Sequence, residues 1–126
     1  MLVRSREKGF TVIELLIAVS IVGILSSIAV RQFISYRVST FDARAEYDLR
    51  VAAAMEEEYF NQNDRYADCT DTNCEQAFGN FALSDGTRIS LISREAGNAY
   101  LGIAFHPLGQ KRYLFDSEEG VLRPAS

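Results

Sequence analysis

From Phe10 to Val30 the chain runs through 21 residues with a single charge, Glu14. A helix rising ~1.5 Å per residue needs about that many to cross the ~30 Å hydrocarbon layer of a bilayer, so the pattern predicts a membrane-spanning helix. Beyond Val30 the pattern turns amphipathic. Ile34, Val38, Phe41, Ala45, Leu49, Ala52, Met55 and Tyr59 recur every three or four residues, the spacing of one helical face. Asp42, Arg44, Glu46, Asp48, Arg50, Glu57 and Glu58 fall on the opposite side. No helix breaker intervenes before Asn61-Gln62-Asn63-Asp64. The reading is one continuous helix of ~50 residues from near Phe10, roughly 75 Å long.

The grammar then changes. Residues 62–86 hold no sustained period and are rich in Asn, Asp, Thr and Gly, the composition of a connecting loop. Residues 87–93, 99–105 and 111–115 are short β-favouring runs, separated by Gly97-Asn98 and by Pro107-Leu108-Gly109. The ending from Asp116 to Leu122 adds a turn and a marginal fourth strand. Three or four antiparallel strands with one apolar face would cover the helix stripe, giving an α+β roll of one long N-terminal helix on a small sheet. The segments are therefore 1–9, 10–31, 32–61, 62–86 and 87–126: a basic stub, an apolar helix, its amphipathic continuation, a loop, and the sheet with its tail.

Composition alters this picture in two ways. The 48% hydrophobic content is inflated by the apolar run, so the polar part is under a hundred residues and buries only a modest core. The formal charge is −4, and loss of the stub's Arg4, Arg6, Lys8 and Glu7 would take it to −6. That balance argues against broad nucleic-acid binding, and there is no direct sign of a nucleic-acid partner.

The basic stub favours a cytoplasmic N-terminus. An ordinary secretory signal would carry a small-residue cleavage site after its apolar core, whereas here Gly9 stands before it. The residues Gly9-Phe10-Thr11-Val12-Ile13-Glu14, continued as LLIAVSIVGILSSIAV, resemble the N-terminal motif of type IV pilins and type II secretion pseudopilins. That resemblance implies a leader of residues 1–9, cleavage by a prepilin peptidase between Gly9 and Phe10, and N-methylation of Phe10. It also implies that Glu14 organises assembly by meeting the N-terminal amine of a neighbouring subunit. One departure is Arg31 ahead of Gln32-Phe33, where many members have a proline that would kink the helix.

Other candidate chemistry is sparse. Cys69 and Cys74 read as a disulfide in an oxidising compartment, because the rival zinc site would need four ligands and only His106 is available elsewhere. His106, beside Pro107, reads as a surface turn residue, and Glu56-Glu57-Glu58 as a solvated edge. Asp116, Glu118 and Glu119 are weak calcium candidates through the resemblance to major pseudopilins, with an exposed acidic turn as the commoner explanation. No catalytic constellation, resident metal or cofactor is expected, so the chain does not read as an enzyme.

The function implied by the resemblance is a pilin subunit that inserts in the inner membrane and polymerises with itself and other pilins into a cell-surface type IV pilus. Prepilin peptidase and an inner-membrane assembly platform would be its partners, and motility, adhesion or DNA uptake its service. The alternative is a pseudopilin of a periplasmic type II secretion pseudopilus, and the third reading is a single-pass envelope protein that does not assemble.

Overall fold

A computed structural model describes residues 8–125 of the chain. Arg4, Arg6 and Glu7 of the basic stub lie outside the described residues. The helix α1 (Val12–Asn63) is unbroken through Arg31, the position of the departure noted above. By contacts the chain divides into two units, one ending at Ser35 and one beginning at Tyr36.

In the first unit every described residue is exposed, from Phe10 at 90% through the Val, Ile and Leu side chains that follow. The two serines inside this stretch satisfy themselves: Ser20 Oγ donates to the Leu16 carbonyl and Ser27 Oγ to the Ile24 carbonyl, each at 2.7 Å. Such back-bonding removes the need for water at a hydroxyl and suits a helix in an apolar environment. So large a continuous apolar surface requires lipid or protein to cover it.

In the second unit the rest of α1 packs on a sheet. β1 (Cys69–Thr70), α2 (Thr72–Phe78), β2 (Arg88–Arg94), β3 (Ala99–Phe105), β4 (Arg112–Asp116) and β5 (Val121–Ala125) follow in order. The five strands form an antiparallel meander, each beside its sequence neighbours. The expected three or four strands become five because β1, only two residues long, pairs Cys69 with Leu91 and Thr70 with Ser90. The segment 62–86, expected to be wholly a loop, thus contains a strand and the short helix α2. Both are tied down by the Cys69–Cys74 bond, with Cα atoms 5.0 Å apart. Since each sulfur is bonded to the other, the zinc alternative is overturned.

The core sits where Ala45, Leu49 and Ala52 of α1 meet Ile89, Leu91, Tyr100, Ala104 and Tyr113 of the sheet. Small residues set the closeness of this contact. A methyl placed on Gly102 would lie 2.8 Å from a Leu49 methyl and 3.0 Å from one of Leu91, so glycine there is what lets Leu49 rest on the strand.

The helical stripe shifts relative to expectation. Ala45, Leu49 and Ala52 are buried as their spacing foretells, while Ile34 is exposed and Phe41, Met55 and Tyr59 are half-buried. Asp42 and Asp48, assigned to the polar side, and Glu56, assigned to a solvated edge, are buried. The reason is local hydrogen bonding: each carboxylate accepts from a connecting segment. Asp42 Oδ1 accepts the Gln110 and Lys111 N–H groups at 2.9 Å, and Asp48 accepts both the N–H and the hydroxyl of Ser84 at 2.9 Å. Glu56 Oε2 accepts the Ala67 N–H at 2.8 Å. Each of these bonds replaces part of the water that a buried carboxyl group gives up.

Candidate functional site

The N-terminal junction is built from very few residues. Lys8, Gly9 and Phe10 are exposed and without regular structure, and α1 begins two residues after Phe10. Thr11 starts the helix by a reciprocal exchange. Its N–H donates to Glu14 Oε2 at 3.1 Å, and the Glu14 N–H donates to Thr11 Oγ1 at 3.3 Å. This is a capping box, in which a Thr and a Glu three residues later satisfy two backbone donors that the first helical turn leaves open. Thr11-Val12-Ile13-Glu14 carries the signature of that motif openly, which gives Glu14 a local capping role beside the intersubunit one that the resemblance implies.

The consequence for Glu14 is directional. Its carboxylate is folded back onto the N–H of Thr11, one residue from Phe10. A charge at this position is also favoured by the positive end of the helix dipole. The chain thus presents, in consecutive order, an exposed Gly-Phe junction, a carboxylate aimed at it, and an apolar surface with no covering.

The remaining candidates lie in the second unit. Asp116 bonds Arg94 at 2.9 Å and accepts the Glu118 N–H at 3.0 Å; these interactions hold its carboxyl below the usual range, the backbone bond contributing most. Glu118 lies 3.8 Å from Arg94, and Glu119 pairs with Arg123 at 3.1 Å. The acidic turn is thus laced to arginines. Among the described residues no three His, Cys, Asp or Glu side chains are grouped to hold a metal ion.

His106 is a correction to the surface-turn reading. It is buried, stacked on Phe41 with ring centres 4.3 Å apart. Nδ1 accepts the Leu108 N–H at 3.0 Å, so Nε2 carries the proton that faces the Asp85 carbonyl at 3.2 Å. Gly86, at φ +78°, leaves the space: a Cβ there would lie 2.6 Å from Nε2. The histidine locks two turns together and offers no free nitrogen to a ligand.

Glu56 is the most perturbed group. Burial, opposed by the Ala67 N–H and reinforced by Asp68 and Glu57, pushes its carboxyl up to about 7. Its Oε1 and the hydroxyl of Tyr100 are both buried without partners among the described residues, and burial also raises the Tyr100 hydroxyl.

Comparison with known proteins bears on the N-terminal site. Residues 4–30 match the family model described as the prokaryotic N-terminal methylation motif. The chain is similar to a type IV major pilin protein, PilA, of Myxococcus xanthus (strain DK1622): 38% identical over 63 residues, 50% of this chain and 29% of that protein. It is also similar to fimbrial proteins of Pseudomonas aeruginosa, 35% identical over 89 residues, 68% of this chain and 58% of theirs. It spans less than two thirds of the length of each of these relatives. The N-terminal motif, the one long helix and the antiparallel sheet agree with these similarities and support the type IV pilin family.

Proposed function

We propose that this chain is a structural pilin subunit, cleaved between Gly9 and Phe10, methylated on the new Phe10 amine and polymerised through its N-terminal helix into a type IV pilus. The membrane holds the precursor, prepilin peptidase trims it, and an inner-membrane platform extrudes it among copies of itself and other pilins. The observation that carries this reading is an exposed apolar helix whose one charge, Glu14, is turned by Thr11 toward the Gly9-Phe10 junction. A carboxylate in hydrocarbon costs at least ~2.5 kcal/mol, and docking against a neighbour's amine in the correct axial register neutralises both charges. Wrong registers leave the charges unpaired, so the pair selects the register while Val12, Leu15, Leu16, Val19 and Val22 supply apolar contact.

The pseudopilin alternative leans on calcium at Asp116, Glu118 and Glu119. The ion pairs of these residues with Arg94 and Arg123 favour the pilus reading, because cation binding would have to break them. The test is filament yield from cells carrying Glu14→Ala or Glu14→Gln. Insertion, cleavage and a folded second unit are expected to persist while surface filaments are lost. Normal filament yield from Glu14→Ala contradicts the register role.

A further inference from the structure

The start of the second unit carries a cationic cleft that the pilin reading does not use. Arg37, Thr40, Phe41 and Arg44 line a surface cleft of about 290 Å³. Both guanidinium groups lie against the same ring, 5.9 Å from the Phe41 centre for Arg37 and 5.7 Å for Arg44. His106 occupies a face of that ring by stacking, which fixes its plane. Among the described residues neither arginine makes an ion pair.

The carboxylates that could neutralise this face are engaged elsewhere. Asp42 is buried and spent on the Gln110 and Lys111 backbone, which leaves the exposed Lys111 side chain near this end as a further cation. Glu46 is paired with Arg50 at 2.6 Å. The charged residues between the apolar run and Asp42 are all arginines, namely Arg31 and Arg37. Tyr36, exposed at 66%, is of the type that settles at a membrane interface. Phe41 follows five residues later along α1, about 7.5 Å at ~1.5 Å per residue, which is roughly the depth of a phospholipid headgroup layer.

We propose that Arg37, Phe41 and Arg44 form a contact site for anionic phospholipid headgroups, which orients the second unit on the membrane surface before assembly. The occupant follows from charge and position: two guanidiniums, each able to donate to phosphate oxygens, flank the Phe41 ring, and Phe41 follows a tyrosine of interfacial type by about one headgroup layer. The proposal rests on the reading that the apolar helix lies in a bilayer.

The test uses the full chain reconstituted in phosphatidylcholine vesicles with trace spin-labelled phosphatidylglycerol or phosphatidylcholine, and reads the selectivity of the protein for the anionic lipid. At ~1 kcal/mol per basic residue near the surface, selectivity is expected to fall about fivefold for each of Arg37→Gln and Arg44→Gln. The double variant Arg37→Lys/Arg44→Lys should keep most of it, which separates lost charge from lost folding. Unchanged selectivity in Arg37→Gln/Arg44→Gln, or loss only in Arg31→Gln, overturns the site. Displacement by inorganic phosphate would assign it to a small anion, and dependence on protein-to-lipid ratio in place of anionic lipid would assign it to a second copy; either result overturns the headgroup reading. A chain that alkaline carbonate strips from the vesicles contradicts the bilayer reading itself and withdraws the proposal with it.

Discussion

Glu56 and Ala67 are joined by a 2.8 Å hydrogen bond from the first loop backbone to a carboxylate with no exposed surface. The bond holds the chain where it leaves α1 and turns back toward β1. It also places an acid where ionisation is disfavoured.

The stability of the second unit should therefore fall as pH rises through this group. The folded value, about 7, lies above the ordinary 4.5, so the folded state retains a proton that the unfolded chain releases. The contribution is fully present below about pH 4.5, declines between 4.5 and 7, and is absent above; by the linkage of pKa to stability its size is about 3 kcal/mol. Glu56→Gln keeps an acceptor for the Ala67 N–H and removes the titration. Thermal melts should show the variant and the parent equal near pH 4 and the variant more stable at pH 8. A gap that does not change with pH would mean that Glu56 stays ionised in the folded chain.

Close packing at Gly102 and Leu49 predicts two costs of opposite origin. Leu49→Ala leaves a cavity under the sheet and should destabilise by about 2–5 kcal/mol. Gly102→Ala inserts a methyl 2.8 Å from Leu49 and should cost about 1–3 kcal/mol by overpacking. The double variant should recover part of the sum, since the two changes share one space. Denaturant titration of all three gives the answer, and strict additivity would place the residues in separate environments.

Reduction of Cys69–Cys74 should loosen the edge of the sheet without unfolding its centre. Beside the bond, Asp68 accepts from Ser93, and Asp71 accepts from Ile89 and Arg88, so two aspartates close the edge of β2 where the two-residue strand β1 ends. Cys69→Ser/Cys74→Ser should cost ~2–3 kcal/mol or less, the loop being short. Hydrogen exchange should rise at β1 and α2 first. Uniform exchange across all strands would show the bond to be central to the whole sheet. Untreated protein should resist thiol labelling.

These residues show which parts of the molecule the sequence made legible. Periodicity located α1, β2, β3, β4 and the marginal β5 because their signals repeat over several residues. It missed β1 and α2, which are only two and seven residues long and are held by the disulfide and by aspartates bonded to β2. The Gly9-Phe10 junction and Glu14 were visible as a motif, while the exchange between Thr11 and Glu14 required the geometry of the first turn. Asp42, Asp48, Glu56 and His106 were misread because each is polar, yet each is buried by a partner distant in sequence, which helical or strand spacing cannot reveal.

The capping box at the head of α1 yields its own prediction. Thr11→Ala removes the side-chain acceptor for the Glu14 N–H and should cost about 1 kcal/mol of local helix stability. It also frees the Glu14 carboxylate from its fixed direction. In micelles, exchange of the first-turn amides should quicken several-fold, and Thr11→Ser should restore them. No change in Thr11→Ala would show that Thr11 does not cap this helix.

The most direct test of the proposed filament role is intact-mass spectrometry of this chain in material sheared from the cell surface. The account predicts a species that begins at Phe10, carries one added methyl group on its N-terminus, retains the Cys69–Cys74 bond and lies in filaments. A chain that still begins at Met1, one cut after Val30, or a processed chain found only in membranes and never in filaments would contradict it.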